Sequence, residues 1–209
     1  MARGSADCRL WDNHAMSSIS NITGLVLAGG LGRRMGGVDK GLQLLDGRRL
    51  IDRVIERLAP QVDTLLVNAN RNLEVYAGLG YPLVMDRIEG FAGPLAGIHA
   101  GLMACATPLL ATVPCDAPYL PLDLVDHLRA ALESQPSCIA VARTADGLQP
   151  TFALMRCDVL ASLADYLAAG GRRIQDWQRS QPLAIVDFAD AGPFANINSL
   201  SDLAASSRV

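Results

Sequence analysis

The sequence predicts an α/β fold, with one mostly parallel sheet and helices packed on both of its faces. Three observations predict it. Short apolar runs of strand length alternate along the chain with stretches whose apolar residues recur at helical spacing, the pattern of βαβ units. The runs are continuously apolar rather than alternating, as strands covered on both faces must be. The 209 residues, 50% hydrophobic and 19% charged, supply one sizeable core and exclude a disordered or fibrous chain.

The elements follow in order from Ile22. Residues 24–28 form a buried strand that runs into glycines. Leu50, Ile51, Val54, Ile55 and Leu58 repeat with helical spacing, and Pro60 closes that helix. Residues 64–67 read as a second strand, 72–79 as a short helix and 83–85 as a third strand leading to Asp86. After a loop around residues 90–94, residues 95–104 read as helix and 109–113 as a fourth strand. Pro121 suits the first turn of a helix whose core face is Leu122, Val125, Leu128 and Leu132. Residues 138–142 and 151–155 are further strands, 159–168 a helix and 184–188 the last strand.

No internal repeat and no linker rich in Pro, Gly or Ser divides the chain, so residues 21–209 read as one domain. Residues 1–20 have neither a period nor the apolar stretch of a secretory signal, and Met16 stands shortly before the first strand. They are expected to be a disordered N-terminal extension.

Composition removes several function classes. Eighteen Lys and Arg against 21 Asp and Glu give a net charge of −3, so no general field draws nucleic acid or an anionic membrane. No apolar run approaches the ~18–20 residues of a membrane span. The five cysteines are dispersed, with no C-x-x-C, which argues against a disulfide framework or zinc ribbon and for reduced thiols in a cytoplasmic protein. His14, His99 and His127 share no spacing that would make a metal pair.

In open α/β sheets, ligands bind beyond the carboxyl ends of the strands. There the sequence places Gly29-Gly30, Asn68, Asp86 and Asp116 after the first four strands of the reading. Asn and Asp also simply end strands; their convergence with the first loop points to chemistry. That loop holds Gly29, Gly30, Gly32, Gly36 and Gly37, with Arg33, Arg34 and Lys40 against the single carboxylate of Asp39. Glycines admit positive φ and close approach of a ligand, and their N–H groups can form an anion-binding concavity. The loop therefore reads as a phosphate site. It is not a Walker A, because Lys40 follows Asp39 and precedes Gly41, nor a dinucleotide fingerprint, because Met35 stands at the third glycine.

The string LAGG-x-G-R-R-M-G-G-x-D-K resembles the signature loop of the sugar-nucleotide-type nucleotidyltransferases, and most closely that of the molybdenum cofactor guanylyltransferases. Val67-Asn68-Ala69-Asn70-Arg71, Asp86, Gly93-Pro94-Leu95-Ala96-Gly97, Pro114-Cys115-Asp116-Ala117-Pro118, a Gln149-Pro150-Thr151 turn and Asn196-Ile197-Asn198 agree in order and spacing. The similarity covers roughly Ile22 to Leu203. It departs from the family pattern at Ser199-Leu200, where Thr-Pro is usual; the serine keeps a hydroxyl that can cap the last helix.

The resemblance implies a single Rossmann-like nucleotidyltransferase domain that transfers GMP from GTP to the terminal phosphate of Mo-molybdopterin, with Mg²⁺ as cofactor. It assigns Leu27, Ala28, Gly29 and Gly30 to the guanine and ribose end through backbone atoms, and Lys40 to the phosphates with Arg34 as helper. Asn68, Asp86 and Gly93 would contact the nucleotide, and Asp116 would contact the nucleotide and hold the metal. Asn196 and Asn198, with Arg172 and Arg173, would face the molybdopterin. Transient docking to molybdenum-insertion or molybdoenzyme-chaperone proteins is expected on the same ground. The rivals are a cytidylyltransferase on the same cofactor, a sugar-phosphate nucleotidyltransferase and a nucleotide-binding module without chemistry. Gly29 and the Gly-Pro-Leu-Ala-Gly segment favour guanine, and the presence of both Lys40 and Asp116 favours an enzyme.

Overall fold

Strand β1 (Ile22–Leu27) is an interior strand of the sheet, and its side chains divide between two cores. Ile22 and Val26 point into one, Leu25 into the other. The structure, a computed structural model, describes residues 21–30, 39–88 and 93–197; the extension expected over residues 1–20 lies outside them.

Parallel to β1 on either side run β4 (Thr64–Asn68) and β6 (Leu109–Pro114). With β5 (Leu83–Val84), β7 (Ile139–Thr144), β8 (Gly147–Arg156) and β9 (Leu183–Asp187) the order is β5-β4-β1-β6-β8-β7-β9. Strand β8 pairs antiparallel with both β6 and β7, while β4–β5 and β7–β9 are parallel. Helices α1 (Leu50–Leu58) and α4 (Leu124–Ser134) cover one face, packing Ile51, Val54, Leu58, Leu124 and Leu128 against Val26, Val67 and Val113. Helices α3 (Pro94–Ala104), α5 (Leu160–Ala168) and α6 (Ile174–Arg179) cover the other, where Leu95, Ile98, Leu163 and Trp177 meet Leu25, Leu110 and Ile139. The mostly parallel sheet covered on both faces is the expected one. A five-residue helix, α2 (Leu73–Ala77), follows β4 and sends Tyr76 into the first core.

Three local expectations are corrected. Helix α4 starts at Leu124, so Pro121 precedes it and Leu122 is 63% exposed rather than on the core face. The reason lies in α1 and the turn after it. Arg57 Nε donates to Leu120 O at 2.6 Å and Gln61 Nε2 to Pro121 O at 2.9 Å, while Gln61 Oε1 accepts from Val125 N at 3.0 Å. The carbonyls that would begin the helix are committed elsewhere, and its first turn is capped from a distance. Second, Gln149-Pro150-Thr151 is not a turn but the middle of β8. The β7 register jumps there from Val141↔Ala153 to Ala142↔Gln149, so Pro150 occupies a bulge where the ladder asks no N–H of it. Third, the chain holds a small hairpin, β2 (Leu44–Leu45) and β3 (Arg48–Arg49), that the apolar pattern does not announce. Its two-residue turn, Asp46-Gly47, has φ of 51° and 77°, as a primed hairpin turn requires.

Candidate active site

The ladder holds β1 beyond its last residue. Ala28 N donates to Asn68 O at 2.8 Å, and Cys115 N donates to Leu27 O at 3.1 Å. Leu27 and Ala28 are thereby fixed between the ends of β4 and β6, and Gly29 emerges over the sheet's carboxyl edge. A Cβ on Gly29 would stand 2.5 Å from Asn70 Nδ2 and 2.7 Å from Asn68 Oδ1. On α3, a Cβ on Gly97 would stand 2.3 Å from the same Asn68 oxygen and 2.9 Å from Leu27 Cδ2. Both glycines are there for room. Gly29 and Gly30 keep ordinary negative φ, so the expected use of positive φ does not apply to them.

Between those two backbones Asn68 is 2% exposed. Its Nδ2 donates to Val84 O at 3.1 Å and to Asp86 Oδ1 at 2.9 Å. Asn70 completes the clamp. Its Nδ2 donates to Asp86 Oδ2 at 2.8 Å and to Gly29 O at 3.3 Å, and its Oδ1 accepts from Asp86 N at 2.9 Å. Both carboxylate oxygens of Asp86 are thus aimed by amides. Asn68, expected to touch a ligand, is buried and orients Asp86. Arg71 reaches back to Gly30 O at 3.1 Å.

The second half of the site lies beyond β6. Asp116 follows Pro114 by two residues, and its Oδ2 accepts from Lys40 Nζ at 3.1 Å. The carboxylate side chain is 10% exposed and the lysine 28%, so the pair sits at a mouth rather than in the core. Asp39, beside Lys40, accepts from Tyr76 Oη at 2.6 Å and from Asn72 Nδ2 at 2.9 Å. Tyr76 is fully buried, and that burial, ahead of nearby Cys115 and Asp39, pushes its phenol far above the ordinary range. A Cβ on Gly41 would stand 2.8 Å from the Tyr76 hydroxyl and 3.2 Å from Cys115 Sγ. The segment 39–41 is therefore seated tightly where it returns from the glycine loop.

The tail closes the arrangement. Ile197 N donates to Asp116 O at 2.8 Å, and Ile197 packs with Leu45 and Leu50, which brings Asn196 to the same edge. Gly93 stands just before α3, with φ 62° and ψ −144°, a region open to glycine. Arg172 and Arg173 lie between α5 and α6, where Arg172 Nη1 donates to Leu167 O at 3.1 Å and Gly171 O at 2.7 Å. Arg34 and Asn198 lie outside the described residues. Asp39, Asn70, Arg71, Tyr76 and Gly97 join the site without having been assigned a role from sequence. Asn70 and Arg71 stand in the quoted Asn-Ala-Asn-Arg string, but nothing in the sequence ties Tyr76 to Asp39.

Among the described residues no three or more His, Cys, Asp or Glu gather as a metal cluster. The donor set, one carboxylate beside a lysine, fits a hard cation that takes few protein ligands and shares the rest between phosphate and water. No helix among the described residues is long and apolar enough to cross a membrane.

A family model, the MobA-like NTP transferase domain, matches residues 24–183. The chain belongs to this family. The MobA-like assignment agrees with a curated relative from Cupriavidus necator named molybdenum cofactor guanylyltransferase. It is 50% identical over 193 residues, 90% of this chain and 97% of the relative. Among solved structures, molybdopterin-guanine dinucleotide biosynthesis protein A from Archaeoglobus fulgidus superposes with a TM-score of 0.74. It is 23% identical and covers 89% of this chain and 97% of its own. The 4-diphosphocytidyl-2C-methyl-D-erythritol synthase from Anaerococcus prevotii has a TM-score of 0.72 at 13% identity, covering 91% of this chain and 96% of its own. At such identities the structures testify to the MobA-like fold alone.

Proposed function

We propose that this MobA-like protein is a molybdenum cofactor guanylyltransferase. It transfers GMP from GTP to the terminal phosphate of Mo-molybdopterin, giving molybdopterin guanine dinucleotide and pyrophosphate. The observation that carries the reading is the Lys40–Asp116 pair, 3.1 Å apart, at the same carboxyl edge of the sheet as Gly29 and the amide-held Asp86. Support comes from the name of the Cupriavidus relative, which this chain matches over nearly its whole length.

The accepting phosphate is ionised near neutral pH, so the attack needs no side-chain base, and no histidine is assigned one. What the transition state needs is in-line positioning and neutral surroundings for charge growing on the α-phosphate and the departing pyrophosphate. Lys40 would stabilise that charge, with Arg34 as helper. Tyr76 and Asn72 hold Asp39, and through it they position Lys40. Leu27, Ala28, Gly29 and Gly30 would take the base and ribose through backbone atoms, and Asp86, Gly93, Asn196 and Asn198 would line the approach. Asp116 would hold Mg²⁺, which when bound supplies positive charge to phosphate oxygens. Delivery of the product by transient docking to molybdenum-insertion or chaperone proteins in the cytoplasm belongs to the same reading.

Calorimetric titration with GTP, CTP, ATP and UTP, with and without Mg²⁺, tests it. GTP should bind about tenfold or more tightly than the others, ~1.4 kcal/mol of base discrimination. A preference for CTP would move the protein to cytidylyl transfer, and binding of none would overturn the nucleotide site.

A further inference from the structure

Lys40 and Asp116 are carried by different elements, and one residue of the tail touches both of their supports. Lys40 opens a short 3₁₀ turn, Lys40–Leu42. Gln43 N donates to Lys40 O at 3.0 Å, Gln43 Nε2 to Asp39 O at 3.2 Å, and Leu50 N to Gln43 O at 2.9 Å. Arg53 Nη2, on α1, donates to Leu45 O at 2.9 Å. Residues 39–50 are therefore one hydrogen-bonded arm, running from Lys40 through the β2–β3 hairpin into α1. Its upstream end is held by the contacts of Asp39 with Tyr76 and Asn72.

The downstream end meets the tail. Leu45, Leu50 and Ile197 are all buried and make a small cluster of their own, apart from the two cores. The same Ile197 donates its N–H to Asp116 O at 2.8 Å. Its side chain thus holds the arm while its amide holds the end of β6. Ile is branched at Cβ and stiff at χ1, so the two contacts are referred to each other with little play. Three residues earlier the tail is anchored again. Phe194 is buried, with its ring centroid 4.9 Å from those of Phe152, on β8, and Phe188. Asn196 stands exposed between these two anchors.

We propose that Ile197 is a positioning residue that clasps the Lys40 arm to the Asp116 strand end and so fixes the separation of the two charged groups. What that separation accomplishes rests on the nucleotidyl-transfer reading, in which Lys40 meets phosphate and Asp116 the metal. A misplacement of about 1 Å can cost about 10²-fold in rate, and a clasp acting on both groups at once guards against it. Recognition of the base at Leu27–Gly30 draws on β1 and not on the tail. Loss of the clasp should therefore be felt in kcat ahead of GTP binding.

The test measures amide hydrogen exchange in the full-length protein without ligand, with steady-state kinetics beside it. In Ile197→Ala, protection of the Gln43 and Leu50 amides should fall about tenfold more than that of the Leu25 and Val26 amides in β1. The kcat for dinucleotide formation should fall about tenfold or more, with KM for GTP within about twofold of wild type. Ile197→Val, one methyl smaller, should show both changes at reduced size, and its exchange ratio decides the matter if the alanine variant does not fold. A role confined to stability would lower protection in the arm and in β1 alike and leave kcat unchanged in the folded variant. That result, or a loosened arm with wild-type kcat, would overturn the proposal. A wild type that makes no dinucleotide would instead overturn the transferase reading, and the exchange ratio would still decide whether Ile197 holds the arm.

Discussion

Asp116 and Lys40 stand 3.1 Å apart at the carboxyl edge, and their removal should differ in kind. Asp116→Ala should abolish turnover if its carboxylate holds the metal as proposed, while Lys40→Ala should lower kcat by ~10²–10³, the scale of one lost transition-state donor. Steady-state rates of dinucleotide formation check both, and near-normal turnover in Asp116→Ala with Mg²⁺ would remove the metal assignment. Tyr76 acts one step behind. Its hydroxyl donates to Asp39 at 2.6 Å, so Tyr76→Phe leaves an acceptor unsatisfied and should cost about 1–3 kcal/mol. The same phenol gives a pH signature. Burial raises its pKa in the folded state, so the unfolded chain loses this proton first. Stability is then intact below about pH 10 and falls above it by up to ~1.4 kcal/mol per pH unit. Urea midpoints at mildly and strongly alkaline pH should show that slope in the wild type and a shallower one in Tyr76→Phe; equal slopes would mean the phenol is not held protonated.

Helix α3 meets the ends of β1 and β4 at Gly97, where a Cβ would fall 2.3 Å from Asn68 Oδ1. In Gly97→Ala either α3 backs away or Asn68 turns from Asp86. Overpacking of this kind costs about 1–3 kcal/mol, and GTP affinity should fall about tenfold or more with it. Gly30 is the contrast, since a Cβ there meets nothing within 4 Å among the described residues. Gly30→Ala should leave stability within ~0.5 kcal/mol and still weaken GTP, because the lost space is the ligand's. Unchanged affinity would move the nucleotide away from Gly30. Elements of this size show what a sequence can and cannot announce. Strands such as β1 and β6 are legible because burial on both faces makes them apolar throughout. The ends of those strands are legible too, so Gly29, Asp86 and Asp116 could be placed together. The start of α4 was not, because Arg57 and Gln61 set it from another element. Pro150 signals a turn by itself and becomes a bulged strand only through the β7 register. The two-residue strands β2 and β3 are too short for any period to show. The Tyr76–Asp39 bond joins residues 37 positions apart, and contacts of that kind exist only once the sheet has formed.

The site draws on the ends of β1, β4 and β6, the segment after β5 and the tail at Ile197, so its geometry depends on both cores holding one sheet. Val26 and Leu25, adjacent in β1, face opposite layers, which makes the strand a shared wall through which either layer's loss should reach the other. Trp177 can report this. It is fully buried in the layer of α3, α5 and α6, and in a Trp11→Phe background it is the remaining tryptophan of two. Leu128→Ala, in the opposite layer on α4, should cost about 2–5 kcal/mol. The Trp177 fluorescence melt and the backbone circular dichroism melt should both shift down by the same interval if the domain unfolds as one unit. GTP at a hundred times its Kd should then raise both by about 2.7 kcal/mol, roughly 5–10 °C at this chain length. If Trp177 kept its wild-type midpoint in Leu128→Ala, the layers would be separate cooperative units, and the edge they hold in common could not be the rigid frame that in-line phosphoryl transfer requires.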